Sequence, residues 1–183
     1  MTDAKRGCPM QETMSYSYLS GIVFCFLTDG DRVLLIRREK EPYKGAFTVP
    51  GGKKEKGETF FDACVREMEE ETGLIVNDPH VRGIAHVVQE ETAKEVVSVY
   101  FAARSYRGTL RESDEGALVW ASIPACFDMP GINPFFLKIA PHVFSSTDSF
   151  FASIFVNERG DIVRDSFVPS GALRIGSRPL GTH

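Results

Sequence analysis

Three glutamates, Glu67, Glu70 and Glu71, stand at relative positions i, i+3 and i+4 in the stretch REMEEETG. At about 100° per residue that spacing places the three carboxylates on one side of a helix. Like charges so close destabilise a helix unless a cation relieves them. Clustered hard oxygens suit Mg²⁺, with Mn²⁺ as a substitute, because these ions bind through a few carboxylates and complete their shells with water and phosphate oxygens. Upstream, Gly51 and Gly52 let a backbone approach a ligand with no Cβ in the way. Arg37, Arg38, Lys40, Lys44, Lys53, Lys54 and Lys56 supply positive charge that could neutralise a polyphosphate. An acidic metal site beside basic loops fits phosphoryl-transfer chemistry.

The surrounding pattern must hold these groups in place. Thr59 with Asp62 three residues on reads as a capping box and Gly73 as a left-handed helix end, so the spacing predicts a helix over 60–72. Its apolar stripe is Phe61, Val65, Met68 and Thr72, with the glutamates on the polar side. Residues 16–28 and 32–37 read as two strands about the turn Asp29-Gly30-Asp31, and 47–49 as a short strand stopped by Pro50-Gly51-Gly52. Residues 81–88 and 96–103 are β-branched strands joined by the polar stretch 89–94, and 118–122 is another strand. Helical apolar spacing runs over 132–144 despite Pro134 and Pro141, and 150–156 with 161–168 form a last hairpin. This predicts one domain over 16–168, flanked by flexible segments at 1–15 and 169–183.

Gly52, Glu58, Arg66, Glu67, Met68, Glu70, Glu71, Gly73 and Leu74 resemble the Nudix box, GX5EX7REUXEEXGU with U apolar, at every defined position. By ordinary residue frequencies such a coincidence occurs on the order of once in a million chains of this length. The resemblance implies an α/β fold, the Nudix-type α/β/α sandwich with a mixed β-sheet. It also implies metal-dependent hydrolysis of a nucleoside diphosphate linked to a further group X. By matching position, Glu67, Glu70 and Glu71 become metal ligands, Arg66 orients them, Glu58 lies at the edge of the site and the Gly51 carbonyl is a further ligand. The general base is Glu71 or Glu112, since similar members place a glutamate in the loop before the late strand, with Glu115 in reserve.

The stretch from Glu112 through Val168 is similar to MutT-type nucleotide-pool hydrolases, which remove oxidised purine triphosphates. The expected reaction is hydrolysis of an ordinary or oxidised (d)NTP to NMP and pyrophosphate. ADP-ribose or a nucleotide sugar is the alternative substrate, and a non-catalytic nucleotide-binding regulator the alternative role. The chain departs from that subgroup where it reads the base, with Thr48 in place of an asparagine and Gly131-Ile132-Asn133 in place of acidic residues. Arg37, Lys53, Thr48, Tyr43, Phe47 and Asn133 are the candidate substrate-binding residues, and Trp120, Phe135 and Phe136 divide between base stacking and core packing.

Composition narrows the partners. Of 183 residues, 43% are apolar and 25% charged, enough for one globular core. The longest apolar run, 22–27, is far short of the roughly 20 residues of a membrane span. The polar N-terminus lacks the apolar stretch of a secretory signal, which points to the cytoplasm. A net charge of −4 gives no general attraction for nucleic acid or anionic lipid. The partner that the resemblance implies is a small nucleotide, bound by a monomer or homodimer. Cys8, Cys25, Cys64 and Cys126 form no CxxC and read as reduced thiols, and His86 and His142 as structural or satisfied core histidines.

Overall fold

The computed structural model describes residues 20–145 and 148–172. The N-terminal segment 1–15, Cys8, and the tail beyond Ala172 lie outside the described residues.

Local signals set the main helix. The Thr59 hydroxyl accepts the Asp62 N–H at 3.1 Å while the Asp62 carboxylate accepts the Thr59 N–H, and Gly73 takes a left-handed φ of 72°, bounding α1 (Phe60–Thr72). The packed face differs from the predicted stripe. Ala63, Cys64, Met68, Glu71 and Thr72 are buried, whereas Phe61 is 45% exposed. Phe60 takes the role given to Phe61 because it lies over Gly21, where an added Cβ would come within 2.8 Å of its ring. Met68 and Thr72 stay buried as predicted, and the packed face extends toward Ala63, Cys64 and Glu71, so that Glu71 lies inward and not on the polar side.

Among the described residues ten strands form around it: β1 (Ser20–Asp29), β2 (Arg32–Arg38), β3 (Phe47–Thr48), β4 (Leu74–Asn77), β5 (His80–Gln89), β6 (Lys94–Ala103), β7 (Ser105–Gly108), β8 (Gly116–Ser122), β9 (Phe150–Val156) and β10 (Ile162–Pro169). Two short helices complete the order, α2 (Ile123–Cys126) and α3 (Pro134–Ser145), with a 3₁₀ turn at Ser170–Ala172. The large sheet runs β10-β9-β5-β6-β1-β2-β3, with β8 also on β2. It is mixed, since β1 is parallel to β6 and β5 parallel to β9 while the other neighbours are antiparallel. A separate β4–β7 pair was not predicted, because each member has only four residues and every side chain of β7 is exposed.

The period of two along each strand divides the core between two layers. Val23, Cys25 and Leu27 of β1 pack under α1 with Met68, while Phe26 faces Phe136, Ile139, Ala140 and Val143 of α3. The arrangement is an α/β/α sandwich. Among the described residues no helix is long and apolar enough to cross a membrane. Cys25, Cys64 and Cys126 are free and buried. Of the two histidines only His86 departs from the core assignment. His142 stacks on Phe167 at 4.1 Å, but the His86 side chain is 44% exposed and pairs with Glu95 at 2.9 Å.

Candidate active site

Backbone hydrogen bonds stitch the glycine loop to β1. Val23 N–H donates to the Gly52 carbonyl and Cys25 N–H to the Pro50 carbonyl, both at 2.9 Å, and Lys54 N–H donates to the Gly21 carbonyl at 2.9 Å. So close an approach excludes a side chain, since a Cβ on Gly51, whose φ is 154°, would lie 2.1 Å from the Val23 carbonyl oxygen. Glu71 reaches this loop from the last turn of α1. It is 4% exposed, and its Oε2 accepts the Gly51 N–H at 2.9 Å. Burial, opposed by that one N–H and reinforced by the charges of Glu67 and Glu115, pushes its carboxyl up to about 7.

Glu67 lies against the next glycine, where an added Cβ would fall 2.3–2.5 Å from its carboxylate atoms. Burial raises its pKa too, though Arg66 opposes the shift. In Gly52→Ala the atoms nearest the added Cβ are therefore those at the end of a flexible side chain. Expected are a melting temperature within a few degrees of wild type and a kcat lower by about 10- to 100-fold, as for residues that position metal ligands. Circular-dichroism melts with steady-state kinetics check both.

Arg66 is the cation that relieves the acidic face. Its Nε and Nη2 donate to the two oxygens of Glu58 at 3.1 and 2.7 Å, and Nη1 donates to Glu67 at 2.9 Å and Glu70 at 3.0 Å. Nη2 also donates to the Lys53 carbonyl at 3.1 Å, tying helix to loop. Glu67 and Glu70 thus turn toward a guanidinium and Glu71 toward a backbone amide. Among the described residues no three acidic, histidine or cysteine side chains converge at metal-binding distance. In type, the donor set of buried and half-buried carboxylates beside an exposed one still fits a hard divalent cation.

These pairings set opposite pH dependences. Arg66, aided by the Glu55 N–H, holds the Glu58 carboxyl down to about 2, so its stabilising contribution is present above the ordinary value of 4.5 and is lost as pH falls through about 2. Glu71 has the reverse sign in metal-free protein, where its charging costs stability as pH rises from 4.5 through about 7. In Arg66→Gln the acid limb between pH 4.5 and 2 should flatten while the limb near 7 persists. Urea midpoints measured across pH test this, and an unchanged acid limb would refute the Arg66 assignment.

A cavity of about 460 Å³ opens from the glycine loop into the layer between the sheet and α3. Gly51, Gly52 and Lys53 form one end, and Thr48, Tyr43 and Asn133 line it, together with Phe24, Tyr100 and Phe135. Arg37 and Phe47 are not among its walls. Arg37 is exposed and points its Nε toward the Gly45 carbonyl at 3.5 Å, while Arg38 lines the cavity instead. Phe47 acts through its backbone, accepting the Asn133 N–H at 2.9 Å. Trp120 packs beside Tyr106 on the α1 side, and Phe136 is 3% exposed in the core. Glu115 pairs with Lys40 and raises the Glu71 pKa, whereas Glu112 Oε1 accepts the Leu118 N–H at 3.3 Å. Ser98 and Tyr100 were missed. Both lie on one face of β6, and two polar groups spaced by two within VVSVYFAA were the available signal.

The NUDIX domain model matches residues 19–131. The chain belongs to the NUDIX domain family. It is a MutT-like Nudix hydrolase. An uncharacterized Nudix hydrolase, YvcI of Bacillus subtilis, is 33% identical over 118 residues, 62% of this chain and 73% of that protein. The ADP-ribose pyrophosphatase of Methanocaldococcus jannaschii is 38% identical over 85 residues, 46% of this chain and 50% of that protein. The human 8-oxo-dGDP phosphatase NUDT18 is 35% identical over 94 residues, 51% of this chain and 28% of its own length. Among solved structures, the MutT protein of Bacillus halodurans superposes with a TM-score of 0.74 at 27% identity, covering 81% of this chain and 97% of that one.

Proposed function

We propose that this Nudix hydrolase cleaves ordinary or oxidised nucleoside triphosphates to the monophosphate and pyrophosphate, with Mg²⁺ as cofactor and Mn²⁺ as substitute. One observation carries the reading: the apolar cavity and the carboxylates share a single loop. Gly51 and Gly52 line the cavity on one side and touch Glu71 and Glu67 on the other. A base held in the cavity leaves its phosphates at that loop. Glu67, Glu70, Glu71 and the Gly51 carbonyl would hold the metal, which when bound draws charge from the bridging phosphate oxygens and lowers the pKa of the attacking water.

The chain's own groups do the rest. Lys53 and Arg38, at the cavity wall, are placed to steady the phosphates. Glu71 is the base, because of the three candidates it is the one hydrogen-bonded to the glycine loop. Glu112 is committed to the Leu118 amide and Glu115 to Lys40. Arg66 keeps Glu67 and Glu70 at the site, ready to exchange a guanidinium for a metal.

The deciding experiment incubates the protein with Mg²⁺ and, separately, with nucleoside triphosphates, 8-oxo-dGTP, ADP-ribose and a nucleotide sugar, then separates the products. Monophosphate with pyrophosphate, abolished by EDTA, supports the reading. Turnover of ADP-ribose alone would replace it, a substrate class that the archaeal relative's name makes the second reading.

A further inference from the structure

The layer beneath α1 draws on β1, β2, β4, β6 and β8, with Ile84 of β5, and no side chain of β9 or β10 takes part in it. On the opposite face Phe150, Ala152, Ile154 and Val156 of β9 are buried in the layer shared with α3. Alternation therefore leaves Phe151, Ser153 and Phe155 on the α1 side of the sheet, beyond the reach of that helix.

Register arranges this face in rows. Phe155 stands opposite Val88 of β5 and Arg164 of β10, and Phe151 opposite Ile84 and Val168. The chain covers the Phe155 row itself. The Arg164 guanidinium lies 3.4 Å from the Phe155 ring centroid, and its Nε donates to Glu90 at 3.0 Å. The Phe151 row is open among the described residues, with Phe151 43% and Val168 40% exposed. Val81 continues it, because it pairs with Phe101 and so shares the face, and it too is exposed.

The chain leaves the sheet beside this open row. Pro169 pairs with Phe150, Ser170 N–H donates to the Ser149 carbonyl at 2.7 Å, and the Ser149 hydroxyl donates to the Val81 carbonyl at 3.1 Å. Beyond Ala172 the sequence runs Leu173-Arg174-Ile175-Gly176, apolar at alternate positions. In extended backbone Leu173 and Ile175 fall on one side, about 6.6 Å apart, and Arg174 on the other. Three residues span about 10 Å, twice the roughly 4.8 Å between neighbouring strands.

We propose that Leu173 and Ile175 fold back over Val168 and Phe151 and cover the open row, leaving Arg174 on the outer side. Size favours this occupant over a second copy of the chain. Three strands by the seven residues of β9 make a face of about 15 by 23 Å, or roughly 350 Å², against about 800 Å² per partner in a stable dimer. A segment already tethered at the edge of the row needs no such area, because the tether keeps its effective concentration high. The face lies across the sheet from the cavity, so the docking does not depend on which nucleotide is cleaved.

Trypsin cleaves after arginine, and docking withholds the Arg174–Ile175 bond from it. In the full chain, cleavage there, followed by intact mass, should run about 10-fold or more faster in Phe151→Ser and in Val168→Ser than in wild type, since the open fraction sets the rate. The cleaved sequence is the same in each, and substitution of such exposed side chains leaves a cooperative melt. Val163→Ser is the control, being 49% exposed on the same strand but at the bulge far from the exit, and should leave the rate unchanged.

Equal rates in wild type and both row variants would overturn the docking. Equal acceleration by Val163→Ser would also overturn it, by showing that β10 as a whole had loosened. Protection that grows over about a 100-fold range of protein concentration, with a dimer mass in light scattering, would give the face to a second copy instead.

Discussion

Glu71→Gln should lower kcat by roughly two to four orders of magnitude, the range lost with a positioned acid–base group, and should not destabilise the protein. The amide is nearly isosteric, and its oxygen can still accept the Gly51 N–H that now ends at Glu71 Oε2 at 2.9 Å. What disappears is the negative charge, needed both to hold a cation and to accept a proton. In metal-free protein that charge is a burden, since burial raises the carboxyl to about 7. At pH 8 the metal-free variant should therefore melt at or above the wild-type temperature, and the difference should vanish below pH 4.5, where the carboxyl is neutral in both folded and unfolded chains. Kinetics and melts on one preparation check both signs. A kcat within about threefold of wild type would remove Glu71 from the chemistry.

Gly51→Ala should be the most disruptive single change in the loop. A Cβ there would lie 2.1 Å from the Val23 carbonyl oxygen and 2.8 Å from the Phe24 Cα, and neither is the end of a movable side chain. Relief requires the loop and β1 to part, at the expense of the Val23–Gly52 and Cys25–Pro50 hydrogen bonds. With strained backbone worth about 1–3 kcal/mol and the lost bonds added, a destabilisation of about 3 kcal/mol or more is expected. Urea unfolding measures it, and turnover should fall at the same time because Glu71 loses its amide partner. A loss below about 1 kcal/mol would show that the two backbones separate readily. The contrast with Gly52→Ala, whose added atom first meets a carboxylate, keeps the steric and catalytic effects distinguishable.

The parts of the molecule that could be read from the chain are those whose causes are local. The helix ends at Thr59 and Gly73 follow from neighbouring atoms, and the strands about Asp29-Gly30-Asp31 from alternation and a turn. The face of α1 was less legible because Phe60 and Phe61 are adjacent and equally apolar. The choice between them is made by Gly21, 39 positions from Phe60 in the chain, which leaves room for one ring. Likewise, three glutamates at helical spacing announce a site, but whether they meet a metal, an arginine or an amide depends on where the Gly51 loop is tied. The cavity was half legible. Thr48 and Asn133 are near the box or the late helix, whereas Ser98 and Tyr100 come from β6, whose neighbour on one side is β1 and on the other β5.

The alternation of β1 has a consequence for how such a molecule changes its taste. Ile22, Phe24 and Phe26 line the cavity, while Val23, Cys25 and Leu27 support the helix that bears the glutamates. On the proposed function, selectivity and chemistry are written on alternate letters of one word. Substitutions at the even positions can reshape the substrate seat without touching the floor beneath α1, so new preferences can be acquired by drift while the hydrolytic apparatus stays in place. An insertion of one residue would exchange the two sets and forfeit both.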